Sequence, residues 1–179
     1  MADRGPPYVY RIARAPRDFR AMPNYRRLRV PGGTYFFTVT LIDRHADTLV
    51  AHVETLRAAY AATRARHPFH TDAIVVLPDH LHAVWTLPEG DSDFPARWKM
   101  LRAAFARALD APARGPAQIR RREKGVWQRR YWEHLIRDAD DYRAHVEYCW
   151  WNPVKHGLAA HPADWPHSSF RRTDLGPPS

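Results

Sequence analysis

The fold depends on one stretch, Ile74-Val75-Val76-Leu77-Pro78-Asp79-His80-Leu81-His82-Ala83-Val84-Trp85-Thr86-Leu87-Pro88, in which two apolar runs flank a His-x-His pair. Side chains of an extended strand alternate between its two faces. His80 and His82 therefore share one face, and the other face carries residues for a core, namely Leu81, Ala83, Trp85 and Leu87. Two imidazoles at this spacing supply half of a metal site. A structural or surface histidine pair is the alternative interpretation.

The composition predicts one domain with its own core. The chain has 179 residues, within the usual range for a single domain. Its single cysteine, Cys149, excludes an internal disulfide and a cysteine-rich zinc site, and it fits a reducing, cytoplasmic setting. Because no apolar run approaches about 20 residues, and the N-terminus has no apolar core of a secretory signal, we expect neither a membrane span nor export.

The charge of the chain is strongly positive. Lys and Arg number 28 against 19 Asp and Glu, which gives a formal net charge of +9, and arginine supplies most of it. Arginine binds phosphate in a forked geometry and stacks on bases, so the excess favours a nucleic acid partner. An arginine-rich proteome would produce the same bias without any such partner.

The order of predicted elements is strand, helix, two strands, helix, strand, helix. Pro78 and Asp79 separate the two middle strands, as in a tight hairpin, although one bulged strand is also compatible with the pattern. The order predicts an α+β fold, an antiparallel sheet with helices packed mainly on one face, in a ferredoxin-like arrangement. The predicted strands are 34–41, 70–77, 80–87 and 132–137, and the predicted helices are 47/48–66, 94–109 and 138/140–152.

The remaining segments are irregular. We expect a flexible N-terminal arm over 1–21, one domain over 22–175 and a short tail over 176–179. Residues 110–126 form a linker rich in Pro, Gly and Arg. Aromatic and basic residues alternate in 127–132, a mixture that suits unstacked bases and a phosphate backbone.

The last predicted helix carries a narrow polar stripe. At 100° per residue, its four members fall within an arc of about 60°. They are Asp141, His145, Tyr148 and Asn152. The core face of the same helix carries Tyr142, Val146, Cys149, Trp150 and Pro153. The stripe is either the lining of a site or an ordinary solvated face, and Pro153 disfavours helical geometry at Asn152.

The histidine pair and the stripe together suggest a phosphoryl-transfer chemistry. His80, His82 and the amide oxygen of Asn152 could hold one divalent ion with open positions. Tyr148, one turn before Asn152, could then attack a phosphodiester that the ion polarises and orients. The phosphotyrosine linkage that results conserves the ester, so strands could be rejoined without ATP.

Several motifs resemble one known family, the REP-associated tyrosine transposases of the wider HUH class of single-strand DNA transposases. The resemblance spans about residues 22–172, and its strength lies in the order of the motifs. They are Met22-Pro23-Asn24-Tyr25-Arg26-Arg27, Gly32-Gly33-Thr34-Tyr35-Phe36-Phe37-Thr38-Val39, Leu77-Pro78-Asp79-His80-Leu81-His82, Trp127-Gln128-Arg129-Arg130-Tyr131-Trp132-Glu133-His134, Tyr148-x-x-x-Asn152-Pro153-Val154-Lys155-His156-Gly157-Leu158 and Trp165-Pro166-x-Ser168-Ser169-Phe170.

The resemblance implies an HUH fold and a single-tyrosine enzyme. His80 and His82 match the metal pair, with Leu81 as the hydrophobe between them, and Asn152 matches the third ligand. Tyr148 matches the nucleophile, which forms a 5′-phosphotyrosine intermediate. The family ion is Mg²⁺ or Mn²⁺, although imidazoles alone would favour Zn²⁺ or Ni²⁺. Family substrates are single-stranded hairpins of repetitive extragenic palindromes (REP), and the protein would act as a monomer or dimer.

Basic and aromatic side chains are expected to bind this DNA. Most come from the matched segments, and one comes from the charge run at 120–124. They are Tyr25, Arg26, Arg27, Arg121, Arg129, Arg130 and Lys155.

Two other functions remain open at the level of sequence. A non-catalytic binder of single-stranded nucleic acid would need no set such as His80, His82 and Tyr148. A zinc hydrolase would need a third strong ligand and a base, for which His134 and Glu133 are available, but nothing in the sequence brings them near His80. Tyr131 competes with Tyr148 as nucleophile, and we favour Tyr148 because it shares a helix face with Asn152.

Overall fold

Four antiparallel strands form the sheet. The computed structural model describes residues 28–109 and 126–172. The strand order is β2-β3-β1-β4, so the first strand lies inside the sheet and the last at an edge. The strands are β1 Thr34–Thr40, β2 His70–Val76, β3 His80–Thr86 and β4 Trp132–Leu135.

The helices follow the predicted order. They are α1 Thr48–Ala51, α2 Val53–Arg66, α3 Phe94–Ala108 and α4 Ala139–Lys155. The predicted helix from 47/48 to 66 is kinked at His52, where φ is −115° and ψ is 35°. Helical hydrogen bonds from His52 N to Thr48 O and from Leu56 N to His52 O continue across the kink. The side chains of Asp93 and Asp138 cap α3 and α4 by accepting backbone N–H groups.

The topology is ferredoxin-like, as predicted. β2 and β3 pair in antiparallel orientation and are joined by a hairpin, in which Leu77 N donates to His80 O at 2.8 Å. β1 lies between β3 and β4 and pairs antiparallel with both. This strand order, with one helical connection after β1 and another after β3, is the split βαβ arrangement.

Each face of the sheet carries its own core. On one face, α2 and α3 cover the apolar side chains of β3 that were predicted to form a core. There Trp85 of β3 stacks on Trp98 of α3, with 4.1 Å between ring centroids. On the other face α4 packs through Val146 and Cys149 against Phe36 and Val84. Two of the three long helices thus share one face. The face covered by α4 is the face of His80 and His82.

The C-terminal part of α4 differs from the prediction. The helix continues through Pro153 to Lys155, three residues beyond its predicted end at Asn152. Proline removes one N–H from the helix, but the bond from His156 N to Asn152 O, at 3.1 Å, keeps the last turn closed.

Beyond α4, the chain returns to the edge of the sheet. Val76 N donates to His167 O at 2.8 Å, so residues near 167 cover the open side of β2. None of the helices in residues 28–109 and 126–172 is long and apolar enough to cross a membrane. The predicted arm 1–21, the tail 176–179 and residues 110–125 of the predicted linker lie outside the described residues.

Candidate active site

The His80–His82 pair lies on β3, beneath α4. The two side chains point to the same face of the sheet, as the alternation predicts, and the residues are 6% and 4% exposed. Their ring centroids are 5.0 Å apart and the rings are nearly perpendicular, at 84°. Pairing with β1 places Thr40 opposite His80 and Thr38 opposite His82.

Each imidazole is anchored through its Nδ1 atom. His80 Nδ1 lies 2.6 Å from Asp79 Oδ1, and Asp79 Oδ2 accepts from Arg44 Nε at 2.8 Å. Burial alone would raise the pKa of Asp79, but the hydrogen bond and charge of His80 and the Arg44 cation hold it below its ordinary value. An ionised carboxylate only accepts, so His80 Nδ1 donates. In the neutral form of the ring, the lone pair of His80 then lies on Nε2.

His82 is anchored by a hydroxyl. Its Nδ1 lies 2.9 Å from Thr38 Oγ1. Burial lowers the pKa of His82 well below its ordinary value, and the nearby His80, His156 and Lys155 lower it further. The ring is therefore neutral near pH 7, which is the form that binds metals. His82 Nε2 has no hydrogen-bond partner among residues 28–109 and 126–172.

α4 brings three polar side chains over the pair at intervals of one turn. The Tyr148 ring lies 5.1 Å from the His82 ring, and the His156 ring lies 5.3 Å from the His80 ring, in each case between centroids. Asn152 lies midway between them on the same side of the helix. It is 0% exposed. The polar stripe therefore faces the sheet, and the interpretation as an ordinary solvated face is wrong.

The donor atoms at this position fit a divalent cation. Asn152 Oδ1 and Nδ2, like His82 Nε2, are buried without hydrogen-bond partners in the part of the chain that the structure describes. Buried polar atoms in native proteins are almost always satisfied by a protein group, water or an ion. Two imidazoles held through Nδ1 and an amide oxygen form a set that can meet that requirement with one ion.

Tyr148 is held by aromatic and cationic neighbours. The Phe36 ring lies 5.7 Å from the Tyr148 ring and stacks on His82 at 5.4 Å, so one side chain supports both. Lys155 Nζ lies 4.7 Å from the centroid of the Tyr148 ring. An exposed cation thus lies beside the phenol, where a phosphate approaching Tyr148 would meet it.

Two further predicted DNA-binding residues lie at the same end of the sheet. Arg129 and Arg130 are exposed. The residue before them, Gln128, donates its backbone N–H to Thr40 O at 2.9 Å, and Thr40 pairs with His80. The other predicted DNA-binding residues, Tyr25, Arg26, Arg27 and Arg121, lie outside the described residues.

The aromatic residues of segment 127–132 are less available to DNA than the alternating pattern suggests. Trp127 is 1% exposed, and its Nε1 donates to Arg102 O at 3.2 Å. Tyr131 is 7% exposed and packs against Trp98 on the face opposite the histidine pair. Both belong to the core beneath α3. The expectation that Trp127 contributes to a base-stacking surface is therefore wrong.

The residues considered for a zinc hydrolase do not meet at His80. Glu133 lies opposite Phe37 in the β1–β4 pair, so its side chain points to the face away from the histidine pair. His134 points to the α4 face, where its Nε2 lies 2.8 Å from Asp141 Oδ2. That combination is therefore not assembled.

Three residues of the site were missed by the sequence analysis. Asp79 directly precedes His80, and its acidic side chain in the turn was an available signal. Thr38 could be found only from the register of β1 against β3. His156 lies two turns after Tyr148, so it falls on the polar stripe once α4 is known to continue through Pro153.

Comparison with known proteins identifies the family. No model of a known protein family matches the chain. It is 44% identical over 151 residues to the REP-associated tyrosine transposase of Escherichia coli, covering 84% of each protein. A Haemophilus influenzae relative with the same family name is 46% identical over 153 residues, covering 84% of this chain and 87% of the relative.

A solved structure has the same fold. It is a REP-associated tyrosine transposase bound to a REP hairpin, with a TM-score of 0.77 and 43% sequence identity, covering 87% of this chain and 89% of the other. The four-stranded sheet, the position of α4 across it and this level of identity over most of the chain lead to one conclusion: the protein belongs to the REP-associated tyrosine transposases.

Proposed function

We propose that this transposase is a metal-dependent single-stranded DNA endonuclease and strand transferase that acts on REP-type hairpins through a 5′-phosphotyrosine intermediate. The observation that carries the proposal is the position of Tyr148. Its ring lies 5.1 Å from His82, and Asn152 follows one turn later on the same helix. One rigid element would thus present both a nucleophile and a metal ligand, which favours near-attack geometry.

The metal would be held by His80, His82 and Asn152. Mg²⁺ or Mn²⁺ is the ion expected, since a hard ion suits phosphate oxygens. When bound, such an ion polarises the scissile phosphate and neutralises charge on its oxygens. Asp79 would keep His80 in the tautomer whose Nε2 lone pair can bind the ion, and Thr38 would hold the orientation of the His82 ring.

The covalent step exchanges one phosphodiester for another. Tyr148 Oη forms a bond to the phosphorus as the bond to the 3′ oxygen of the preceding nucleotide breaks. The phenolic proton is released, and the departing 3′ oxygen takes up a proton to become a hydroxyl. A different 3′ hydroxyl can then attack the phosphotyrosine and restore Tyr148. Lys155, beside the ring, is suited to stabilise the phenolate and the phosphate.

DNA binding is supported by charge and by the relative. The chain has a net charge of +9, and the related transposase was solved with a REP hairpin. We assign the hairpin contacts to Arg129, Arg130 and Lys155. We also assign contacts to four residues that lie outside the described part of the chain, Tyr25, Arg26, Arg27 and Arg121. All groups of the proposed active site come from one copy of the chain, so a monomer suffices. We expect a transposase that acts on such DNA to work in the cytoplasm.

The direct test is incubation of labelled REP-type hairpin DNA with the protein and Mn²⁺. We expect a protein–DNA adduct that survives denaturation, and we expect EDTA or His82→Ala to abolish it. His82→Ala should spare most hairpin affinity, because phosphate contacts elsewhere supply it. The matched control is His70→Ala, an exposed histidine that pairs with Thr86 at the other end of β3 from His80, and this variant should keep the adduct. Full adduct formation in EDTA would refute the metal mechanism.

A non-catalytic hairpin binder is the second candidate. The net positive charge and the membership of the family support this candidate as well. It predicts tight hairpin binding with no adduct and no strand cleavage under any divalent ion. Within the described residues, the buried polar atoms of His82 Nε2 and of the Asn152 amide have no hydrogen-bond partners. They favour the enzyme, because a binding surface has no use for such atoms.

A further inference from the structure

A second group of metal-type donors lies where β4 meets the first turns of α4. His134 projects from β4, and Asp141 and His145 lie one turn apart on α4. One donor atom from each lies within 4.8 Å of the other two. Within residues 28–109 and 126–172, no other three His, Cys, Asp or Glu side chains meet at this spacing.

Asp141 contacts both histidines of this group. Its Oδ2 lies 2.8 Å from His134 Nε2 and accepts from Arg137 N at 3.0 Å. Its Oδ1 lies 3.0 Å from His145 Nδ1. These separations are close to the roughly 3.3 Å between neighbouring ligand atoms around tetrahedral zinc, given zinc–nitrogen bonds of about 2.0–2.1 Å. Carboxylate and carbonyl oxygens only accept, so His134 Nε2 and His145 Nδ1, which also lies 2.8 Å from the backbone oxygen of Asp141, carry ring protons in this structure. A bound ion would take the place of these protons between the donor atoms, and each ring would then carry its proton on the opposite nitrogen.

The pKa values of Asp141 and His145 are shifted towards the ionisation states that bind metals. Burial alone would raise the pKa of Asp141, but the hydrogen bonds from His134 and Arg137 outweigh it and keep that pKa below its ordinary value. Burial lowers the pKa of His145, which is 4% exposed. Asp141 is therefore an anion and His145 a neutral imidazole near pH 7. His145 Nε2 has no hydrogen-bond partner in the described ranges, and His145 Nδ1 donates to Asp141 O at 2.8 Å.

Ring stacking holds the group in place, and part of it remains exposed to water. The rings of Trp132, His134 and His145 form a parallel stack, with centroids 5.8 Å and 4.6 Å apart and interplanar angles of 11° and 18°. The side chains of His134 and Asp141 are 18% and 20% exposed. An ion could thus reach the group from solvent and keep a water ligand, as in zinc sites with three protein ligands.

We propose that His134, Asp141 and His145 form a second divalent-metal site, of the Zn²⁺ class, that fastens α4 to β4. A set of two imidazoles and one carboxylate binds Zn²⁺ in preference to Mg²⁺. The site is separate from His80, His82 and Asn152, because the Phe36 ring lies between His82 and His145. Two-metal catalysis needs ions about 3.5–4 Å apart, so the second ion would have a structural role.

The test isolates this site from the first one. In the His80→Ala/His82→Ala variant, Zn²⁺ titration by calorimetry, with metal content measured after dialysis, should give one bound equivalent and a higher melting temperature. Adding Asp141→Asn or His134→Gln should lower Zn²⁺ affinity at least about tenfold. Adding His70→Ala is the matched control, because His70 also lies beside a carboxylate, Asp72, at 3.2 Å, but no third His, Cys, Asp or Glu of the described residues joins the two. His70→Ala should leave the stoichiometry and affinity of Zn²⁺ binding unchanged.

Two results would overturn the proposal. One is the absence of Zn²⁺ binding in the folded double variant, which would make the group a hydrogen-bond network only. The other is Zn²⁺ binding that is unaffected by Asp141→Asn and His134→Gln. If the double variant does not fold, wild type should bind two equivalents and His134→Gln one, and equal values would contradict the site. These outcomes do not depend on whether Tyr148 cleaves DNA.

Discussion

At the level of single residues, the two histidines of the pair differ in what holds them. His80 is held by the ionised carboxylate of Asp79, which is itself paired with Arg44. His82 is held by the neutral hydroxyl of Thr38. A carboxylate raises the basicity of the ring that it holds more than a hydroxyl does. The contribution of Asp79 to metal binding should therefore be measurable by itself.

Asp79→Asn should weaken Mn²⁺ binding at the His80–His82 site by about 10–100-fold, the usual effect of losing a carboxylate behind a ligating histidine. The amide retains the shape of the side chain and removes its charge. The measurement is the Mn²⁺ concentration needed for half-maximal adduct formation. Asp43→Asn is the control, because Asp43 is exposed and accepts from the backbone N–H of His45, at 2.9 Å. Equal Mn²⁺ requirements for wild type and Asp79→Asn would contradict this role.

Local periodicity explains which site residues could be predicted. The shared face of His80 and His82 follows from alternation on one strand, and the stripe containing Tyr148 and Asn152 follows from helical spacing. The roles of Asp79 and Thr38 depend on the turn conformation and on the pairing of β1 with β3, which no single segment encodes. Trp127 was misread for a related reason. An isolated β-bridge between Trp127 and Leu41, which is distant in sequence, places the Trp127 side chain in the core.

At the level of secondary-structure elements, the sheet separates stability from chemistry. α3 packs on one face through Leu101, Trp98 and Phe105, all of them 0% exposed. α4 packs on the other face and carries the stripe that contacts the histidine pair. Loss of packing beneath α3 should therefore change the free energy of unfolding far more than it changes the site.

Leu101→Ala should lower the free energy of unfolding by about 2–5 kcal/mol, the range for removing a fully buried leucine side chain. Chemical denaturation measures it. The Mn²⁺ requirement for adduct formation by the remaining folded protein should stay within about twofold of wild type. Lys99→Ala, an exposed position on the same helix, should change stability by less than about 0.5 kcal/mol. A large change in Mn²⁺ requirement with Leu101→Ala would show that the two faces are coupled.

Element order and type were predictable, whereas irregularities within helices were not. Strands and helices appear in the predicted order because each has a clear hydrophobic period. The kink at His52 and the passage of α4 through Pro153 depend on tertiary packing, which overrides the local preference of the residue before a proline. Continuation through Pro153 matters for function, because it brings His156 beside His80.

At the level of the whole molecule, buried histidines make stability depend on pH. Burial lowers the pKa of His82, His145, His156 and His167 below the ordinary value. Below about pH 6.5, the unfolded chain therefore binds more protons than the native one. The free energy of unfolding should be highest above that pH and fall as the pH drops.

This pH dependence can be measured by chemical denaturation at pH 7.5, 6 and 5, with EDTA present so that metal release does not contribute. The denaturation midpoint should decrease at each step, and His82→Gln should reduce the decrease. Asp79, Asp91 and Asp141 have lowered pKa values and lose their stabilising effect only near and below about pH 3.9. A midpoint that is constant or rises from pH 7.5 to 5 would contradict the assignment of neutral buried histidines.

The net charge of +9 makes a prediction about DNA affinity. Hairpin binding should weaken with salt, with a log–log slope of roughly −0.7 for each phosphate neutralised on single strands. Arg129→Ala and Arg130→Ala should each make the slope less steep, whereas Arg143→Ala should leave it unchanged, because Arg143 pairs with Asp140 at 2.7 Å. Fluorescence anisotropy over a salt series measures these slopes. Salt-independent binding, or tighter binding to perfect duplex than to the hairpin, would count against the hairpin interface.

The identity of the nucleophile can be determined by mass spectrometry of the digested protein–DNA adduct. Tyr148 and Tyr131 are the two candidates from the sequence motifs, and only Tyr148 lies on the face of the histidine pair. We expect the nucleotide on the Tyr148 peptide, and loss of the adduct in Tyr148→Phe with hairpin affinity and melting temperature near those of wild type. Tyr131→Phe should keep the adduct. A nucleotide on the Tyr131 peptide, or an undiminished adduct in Tyr148→Phe, would contradict Tyr148 as the attacking residue.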